Sequence, residues 1–421
     1  MISVLGNSWP LLLGMMLLML GNGLQGSLLG VRGAIEGYTA GTMSLVMSAY
    51  FLGFLVGSRL APHLIQRVGH VRVFAALASL VSAAFILYAA APDPYVWIAM
   101  RVLVGVCFAG IYVTAESWLN AAATNETRGQ ALSLYMIVQM LGIISAQALL
   151  TLADPSGYTL FVVMSVMVSI SFAPILLSVT VAPAFQTTKP LTLARLFVIS
   201  PLGCVGTFLL GGVIAATFAM ASVFGTEKGL STSQIAVFVA SIYTGGLLFQ
   251  FPIGWISDRM DRRRLILMLT SFGAGAALVG FLVADAVPVV IGVGFLLGGV
   301  ANPLYSLLIA HTNDYLDHTD MAAASGGLLF INGLGAISGP LLIGWLMTAF
   351  GADAFFAYVG GLFALIALYA AYRTTRRAAP SVAKTSSYTP VLPQASPVAL
   401  EVAQTVAIAR ASEDTAAPAN A

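Results

Sequence analysis

The chain has 421 residues, of which 59% are hydrophobic and 8% charged, and its formal net charge is +2. Soluble domains carry about 25% charged residues, so a soluble fold is excluded, and so small a net charge gives no electrostatic footprint for nucleic acid. Cys107 and Cys204 stand alone in apolar runs and read as small buried hydrophobes, not as a disulfide or a metal site.

Apolar runs of about 20 residues, the length a helix needs to cross a bilayer, recur along the chain. None alternates as a membrane barrel strand would. The first covers 9–30, lacks a basic flank and a cleavage site, and reads as a retained helix rather than a signal peptide. It carries Asn22 and Gln25 one turn apart. Further spans follow at 41–61, 71–91, 95–119, 129–152 and 158–181. After a connection containing Pro183, Lys189 and Pro190 come 196–224, 233–256, 264–284, 287–310, 322–349 and 352–372.

This divides the chain into a six-span half at 1–181, a linker at 182–195, a second six-span half at 196–372 and a tail at 373–421. The tail, rich in Ala, Ser, Thr and Pro, is expected to be disordered because it offers little regular apolar surface. Fifteen of the 18 Lys and Arg residues fall on one side of such a layout; only Arg32 and Lys228 fall on the other, and Arg101 lies within a span. By the positive-inside rule both termini are expected in the cytoplasm.

The halves resemble each other at an offset of 193 residues. Tyr50 maps to Tyr243, Gly105 to Gly298, Tyr112 to Tyr305, Asn120 to Asn313, Gln139 to Asn332, and Gly142 to Gly335. Parallel six-span repeats of this kind generate a two-bundle transporter architecture.

Few polar residues interrupt the spans. In the fourth, Arg101 and Tyr112 lie 11 residues apart and so within roughly 20° of each other on a helix. Glu116 lies within about 60° of Arg101 but roughly 22 Å further along the axis, so the two cannot pair directly. An intramembrane charge normally faces a protein interior or a water-filled cavity. Arg101 therefore suits an anionic group on a solute, or the tuning of a proton-carrying acid; snorkelling to the outer interface is the plain alternative. Glu116 suits a pairing with Arg128 or Arg59 as a cytoplasmic latch, or else a protonation site. In the tenth span Asn302, Pro303 and Tyr305 adjoin a bend that frees backbone carbonyls. Asn302, Tyr305 and Gln25 join Arg101 and Tyr112 as candidate solute-binding residues. Asp258 and Arg259, after the eighth span, join Glu116 and Arg128 as the candidate latch.

Gly254, Asp258 and Arg259 resemble the charged loop that major facilitator proteins carry after spans two and eight. In the first half Pro62, Gln66, Arg67 and Gly69 stand in its place. A Gln cannot serve as the anion of a lock. Arg101 and Gly105 resemble a fourth-span motif of proton-linked drug exporters, but Gly142 to Gln147 lacks the Gly-Pro of their fifth span. With Glu116-Ser117, Arg128-Gly129, Tyr135 to Val138, Gln250 to Arg259 and Leu304-Tyr305, residues 1–372 resemble the major facilitator superfamily, most closely its YcaD-like branch. The resemblance implies an all-α membrane fold of twelve transmembrane helices in two six-helix bundles. It also implies secondary active transport of a small organic solute by alternating access, in a monomer of the bacterial inner membrane.

With no nucleotide-binding motif in the chain, an ion gradient must supply the energy, and the scarcity of acids favours a proton. No cofactor, metal or enzymatic activity is expected. The alternative function is a solute sensor that signals through its tail.

Overall fold

The computed structural model describes residues 2–124, 126–176, 191–317, 320–376 and 385–416. Lys189, Arg377 and Lys384, counted above among the basic residues, lie outside them. All regular structure among the described residues is helical. Twelve helices among the described residues are long and apolar enough to cross a membrane. In chain order, spans 1 to 12 are Ser8–Ile35, Ala40–Val68, His70–Ala90, Pro94–Ala122, Arg128–Leu149, Thr159–Leu176, Pro201–Ala219, Thr232–Ser257, Arg262–Leu282, Val287–Asn313, Met321–Phe350 and Ala354–Arg376. Twelve crossings return the chain to the face on which span 1 starts, called here the terminal face; the other is the opposite face.

Local chemistry explains several boundaries. Spans 2 and 3 are joined by Gly69 alone, at φ +84°, a left-handed conformation that suits glycine. Span 7 was expected as one helix over 196–224, but the chain forms Leu193–Ile199, Pro201–Ala219 and Ala221–Glu227. The first break follows from Ser200, whose side chain accepts the Gly203 N–H and caps a new helix, with Pro201 at its first turn. The expected linker 182–195 falls outside the described residues up to 190, and its last residues enter the helix Leu193–Ile199.

Spans 1–6 pack among themselves, and so do spans 7–12. Between the two bundles, span 2 meets span 11, span 5 meets span 8, and span 1 meets the short helix Ala221–Glu227. The repeat has a packing cause. Gly105 lets span 4 press against the Tyr50 carbonyl of span 2, and its mate Gly298 lets span 10 press against the Ile242 carbonyl of span 8. Small residues allow such close approach in a bilayer. A Cβ at 298 would run into backbone, which cannot move aside as a side chain can. Gly298→Ala should therefore cost about 1–3 kcal/mol through overpacking. Gly292→Ala, where a Cβ meets nothing, should be silent. Melting temperatures of the two purified variants test this; equal values would contradict the close approach.

The tail departs from expectation. It was read as disordered over 373–421, but span 12 continues to Arg376, Pro397–Ala416 is a helix, and Tyr388, Val391, Leu392 and Leu400 are buried. Composition measured the surface the tail could bury against itself. The structure supplies a cleft between the bundles that buries it instead. The tail helix packs against spans 4, 5 and 11, and so touches both bundles.

Candidate functional site

A cavity lies between the bundles, with about 740 Å³ of space when the solvent at its mouth is included. Its wall includes Asn22 of span 1, Tyr50 of span 2, Arg101 and Tyr112 of span 4, Gln139 of span 5, Phe218 of span 7, Tyr243 of span 8 and Asn302 of span 10. Both halves contribute to this wall.

Arg101 sets the electrostatics of this cavity. Its side chain is almost fully buried, which argues against snorkelling to the interface. Nη1 donates to Gln25 Oε1 at 3.1 Å, Nη2 contacts Met47 Sδ at 3.4 Å, and the guanidinium sits 4.8 Å from the centre of the Tyr50 ring. Gln25 also donates from Nε2 to the Tyr88 hydroxyl at 3.1 Å, which fixes its amide. None of these partners carries a negative charge, and Arg101 Nε is buried without a hydrogen bond. A buried cation with no counter-ion is costly, and an anion in the cavity would offset that cost.

Asn302 adds a second donor. Gly246 leaves room beside its amide, and Nδ2 is buried without a partner. Tyr112 lines the cavity, with its hydroxyl against Met19 Sδ at 3.4 Å. Of the five candidate solute residues, Arg101, Tyr112 and Asn302 thus share one wall. Gln25 stands behind Arg101. Tyr305 is fully buried away from this lining, its hydroxyl unpartnered.

Sequence reasoning named Tyr50 and Tyr243 only as repeat mates and did not place them in the site. Their symmetry was the usable signal, because both face the same cavity. Asn22, which the sequence placed only one turn from Gln25, and Gln139, which it marked only as the repeat mate of Asn332, also line it.

The candidate latch residues pair differently from expectation. Glu116 meets neither Arg128 nor Arg59. Its Oε2 accepts the Ser396 N–H of the tail at 2.9 Å. Arg59 instead stacks on Phe330 of span 11 at 4.5 Å, and Arg128 Nε is buried without a partner. Arg259 folds back on its own helix, donating to the Trp255 carbonyl at 3.0 Å and stacking on that ring. Asp258 pairs with Arg262 at 3.3 Å. Arg262, one of the fifteen basic residues on this side, is the centre of this region. It forms a salt bridge with Asp314, donates to Ser257 Oγ at 3.1 Å and reaches the Ala310 carbonyl. Burial holds the Asp314 carboxyl above its usual range, against the opposing pull of Arg262.

The opposite face is closed by direct bundle contact. Gly30 abuts Ser222, and Gly344 abuts Ser44. At the same face Lys228 bridges Asp285 and Asp353 at 2.9 and 2.8 Å; its hydrogen bonds to Asp285 and then Asp353 hold the ammonium above its usual range. Among the described residues no three His, Cys, Asp or Glu side chains gather as a metal would need.

Comparison with known proteins agrees with this architecture. The family model of the Major Facilitator Superfamily matches residues 11–243 and again 202–409. The uncharacterized MFS-type transporter YcaD of Escherichia fergusonii is 26% identical over 358 residues, covering 84% of this chain and 92% of the relative. An uncharacterized MFS-type transporter of Yersinia pestis is 25% identical over 325 residues, covering 76% of this chain and 83% of its own. Among solved structures, the nucleoside transporter NupG superposes with a TM-score of 0.69 at 13% identity, covering 87% of this chain and 98% of its own. A bacterial homologue of the lysosomal transporter Spinster, solved inward-facing and unoccupied, gives 0.66 at 14% identity, covering 94% and 97%. The two-bundle fold, the internal repeat and these matches place the chain in the major facilitator superfamily, as a YcaD-like member.

Proposed function

We propose that this chain is a secondary active transporter that carries a small organic acid across the bilayer by alternating access, coupled to protons. The observation that supports the cargo class is Arg101, a buried guanidinium on the cavity wall with no carboxylate among its partners. A solute carboxylate or phosphate would pair with it and take up the free donors of Arg101 Nε and Asn302 Nδ2. Neutral solutes would leave the charge uncompensated. The aromatic wall of Tyr50, Tyr112, Phe218 and Tyr243 suits an apolar or ring-bearing body.

The opposite face is sealed by small residues in contact, so the next state in a cycle is reached by rocking the bundles about the cavity. The basic terminal face corresponds to the cytoplasm under the positive-inside rule. The bacterial relatives support an inner-membrane location. Gating on that face would run through Glu116 and Asp258 of the sequence-derived latch, with Arg262 in the place expected for Arg259.

A thermal-shift panel of acid-bearing and neutral metabolites tests the cargo class, because a ligand of the native state raises the melting temperature with occupancy. Stabilisation by acids alone supports the reading; stabilisation by neutral compounds alone contradicts it.

Glu116 is the one acid of the chain inside the twelve spans, which makes it the candidate proton carrier. Glu116→Gln in proteoliposomes should abolish accumulation driven by a pH gradient while exchange of labelled for unlabelled solute persists. Gradient-driven accumulation that survives the substitution removes Glu116 from coupling.

The tail's contact with Glu116 also fits a solute sensor, in which binding would move the tail. Flux through the reconstituted protein separates the two readings.

A further inference from the structure

The mouth of the cavity on the terminal face is filled by the chain's own tail. Residues 385–396 run as a non-helical strip between the bundles, with Pro390 in its extended part and Pro393 in a turn closed by the Ala395 N–H on the Leu392 carbonyl at 3.0 Å. The strip is read largely through its backbone. Ser386 N–H donates to Asp314 Oδ1 at 3.0 Å, and the Ser386 carbonyl accepts from Arg262. Tyr388 N–H donates to Asp258 Oδ1 at 2.7 Å. Val391 N–H donates to Ser306 Oγ at 2.9 Å, and that hydroxyl returns a bond to the Val391 carbonyl at 3.0 Å. Ser396 N–H then crosses to Glu116 of the other bundle.

Side chains set the register. The Tyr388 ring lies over Gly254, where a Cβ would strike it. Its hydroxyl accepts from Gln250 Nε2 at 3.0 Å and donates to the Pro303 carbonyl at 3.3 Å. Leu392 packs on Met136 and Met140, and with Gln394 it lines the cavity that holds Arg101. Gln404 of the tail helix accepts from Asn313 at 2.6 Å and donates to Ser325 at 3.0 Å. The strip and the first turns of its helix, 385–408, contain no Lys or Arg, and three carboxylates of the cleft receive its N–H groups.

We propose that the terminal-face cleft is a peptide-binding site whose ligand is residues 385–408 of the same chain, and that its occupancy holds the cavity shut. The strip ties Asp258 and Asp314 of one bundle to Glu116 of the other, and Leu392 and Gln394 stand in the exit path. On the transporter reading, a turnover requires the tail to leave, so the tail is an autoinhibitory plug. The peptide site itself does not depend on that reading.

The test uses the full chain with Cys107→Ser, Cys204→Ser and a reporter, Asn22→Cys, in the cavity wall. The rate of labelling by a polar maleimide is measured on detergent-purified protein. Adding Tyr388→Ala and Val391→Pro, which remove the anchor ring and one N–H donor, should speed labelling at least about tenfold by shifting the population towards the released tail. A synthetic peptide of native residues 385–408 should slow it again, and the same peptide with Tyr388→Ala should not. Equal rates with and without the tail substitutions overturn the proposal, as does a native peptide without effect. Flux is read in parallel. Faster labelling with faster flux supports plug and transporter together. Faster labelling with no flux in any variant keeps the peptide site but removes both the transporter reading and the plug.

Discussion

Arg101→Ala should weaken binding of an acid-bearing solute by about 10- to 150-fold, the equivalent of one charge-assisted hydrogen bond of about 1.5–3 kcal/mol. Isothermal calorimetry on purified protein reads the change directly. The loss should fall on acids and spare a neutral analogue of the same body, because the aromatic wall is untouched. Arg101→Lys should recover only part of it. An ammonium lacks the planar fork that lets Arg101 hold Gln25 while presenting Nε. An equal loss for acid and neutral ligands would mean that Arg101 acts on the fold, by supporting Gln25 and Tyr88, and not on the charge of the solute.

The second large effect is expected at Arg262. Its side chain is 1% exposed and that of Asp314 is 3%, so the pair is nearly dry. Removing one partner of a buried pair leaves an uncompensated charge and typically costs about 3–5 kcal/mol. Arg262→Ala should therefore lower the melting temperature sharply and reduce the yield of folded protein. Arg262→Leu combined with Asp314→Leu should cost less than Arg262→Ala alone, since no buried charge then remains. A double variant less stable than the single one would show that the network of Ser257, Ala310 and the tail around Arg262 outweighs the ion pair.

The fold was legible because each of its rules is local. Twelve apolar runs, short connections and a one-sided distribution of Arg and Lys define the crossings without tertiary information. The offset of 193 residues between Gly105 and Gly298 exposed the repeat, and both glycines bring neighbouring spans into backbone contact. Span 7 was misread because a Ser-Pro cap lowers the hydropathy of a long apolar run too little to end it.

The site was half legible. Arg101, Tyr112 and Asn302 were found because polar groups inside spans are rare and costly. Tyr305 was named for its place beside the Pro303 bend, but it is buried in the bundle while Asn302, three residues earlier, lines the cavity. The latch was assigned from charge and proximity in sequence. Arg259 stacks on Trp255 one turn away, and Arg262 takes the buried role because it begins span 9 facing Asp314. The tail was invisible to composition because its partner surface belongs to spans of both bundles far away in sequence.

The central claim is that an acid-bearing solute crosses the bilayer through the cavity at Arg101. The most direct measurement loads proteoliposomes with buffer, imposes a pH gradient in a mixed panel of carboxylated, phosphorylated and neutral metabolites, and quantifies the lumen by mass spectrometry. The account predicts that at least one acid-bearing solute accumulates above its external concentration. That accumulation should disappear when the gradient is collapsed, and also in Arg101→Ala. Accumulation of neutral solutes alone, or accumulation of an acid unchanged in Arg101→Ala, would contradict it.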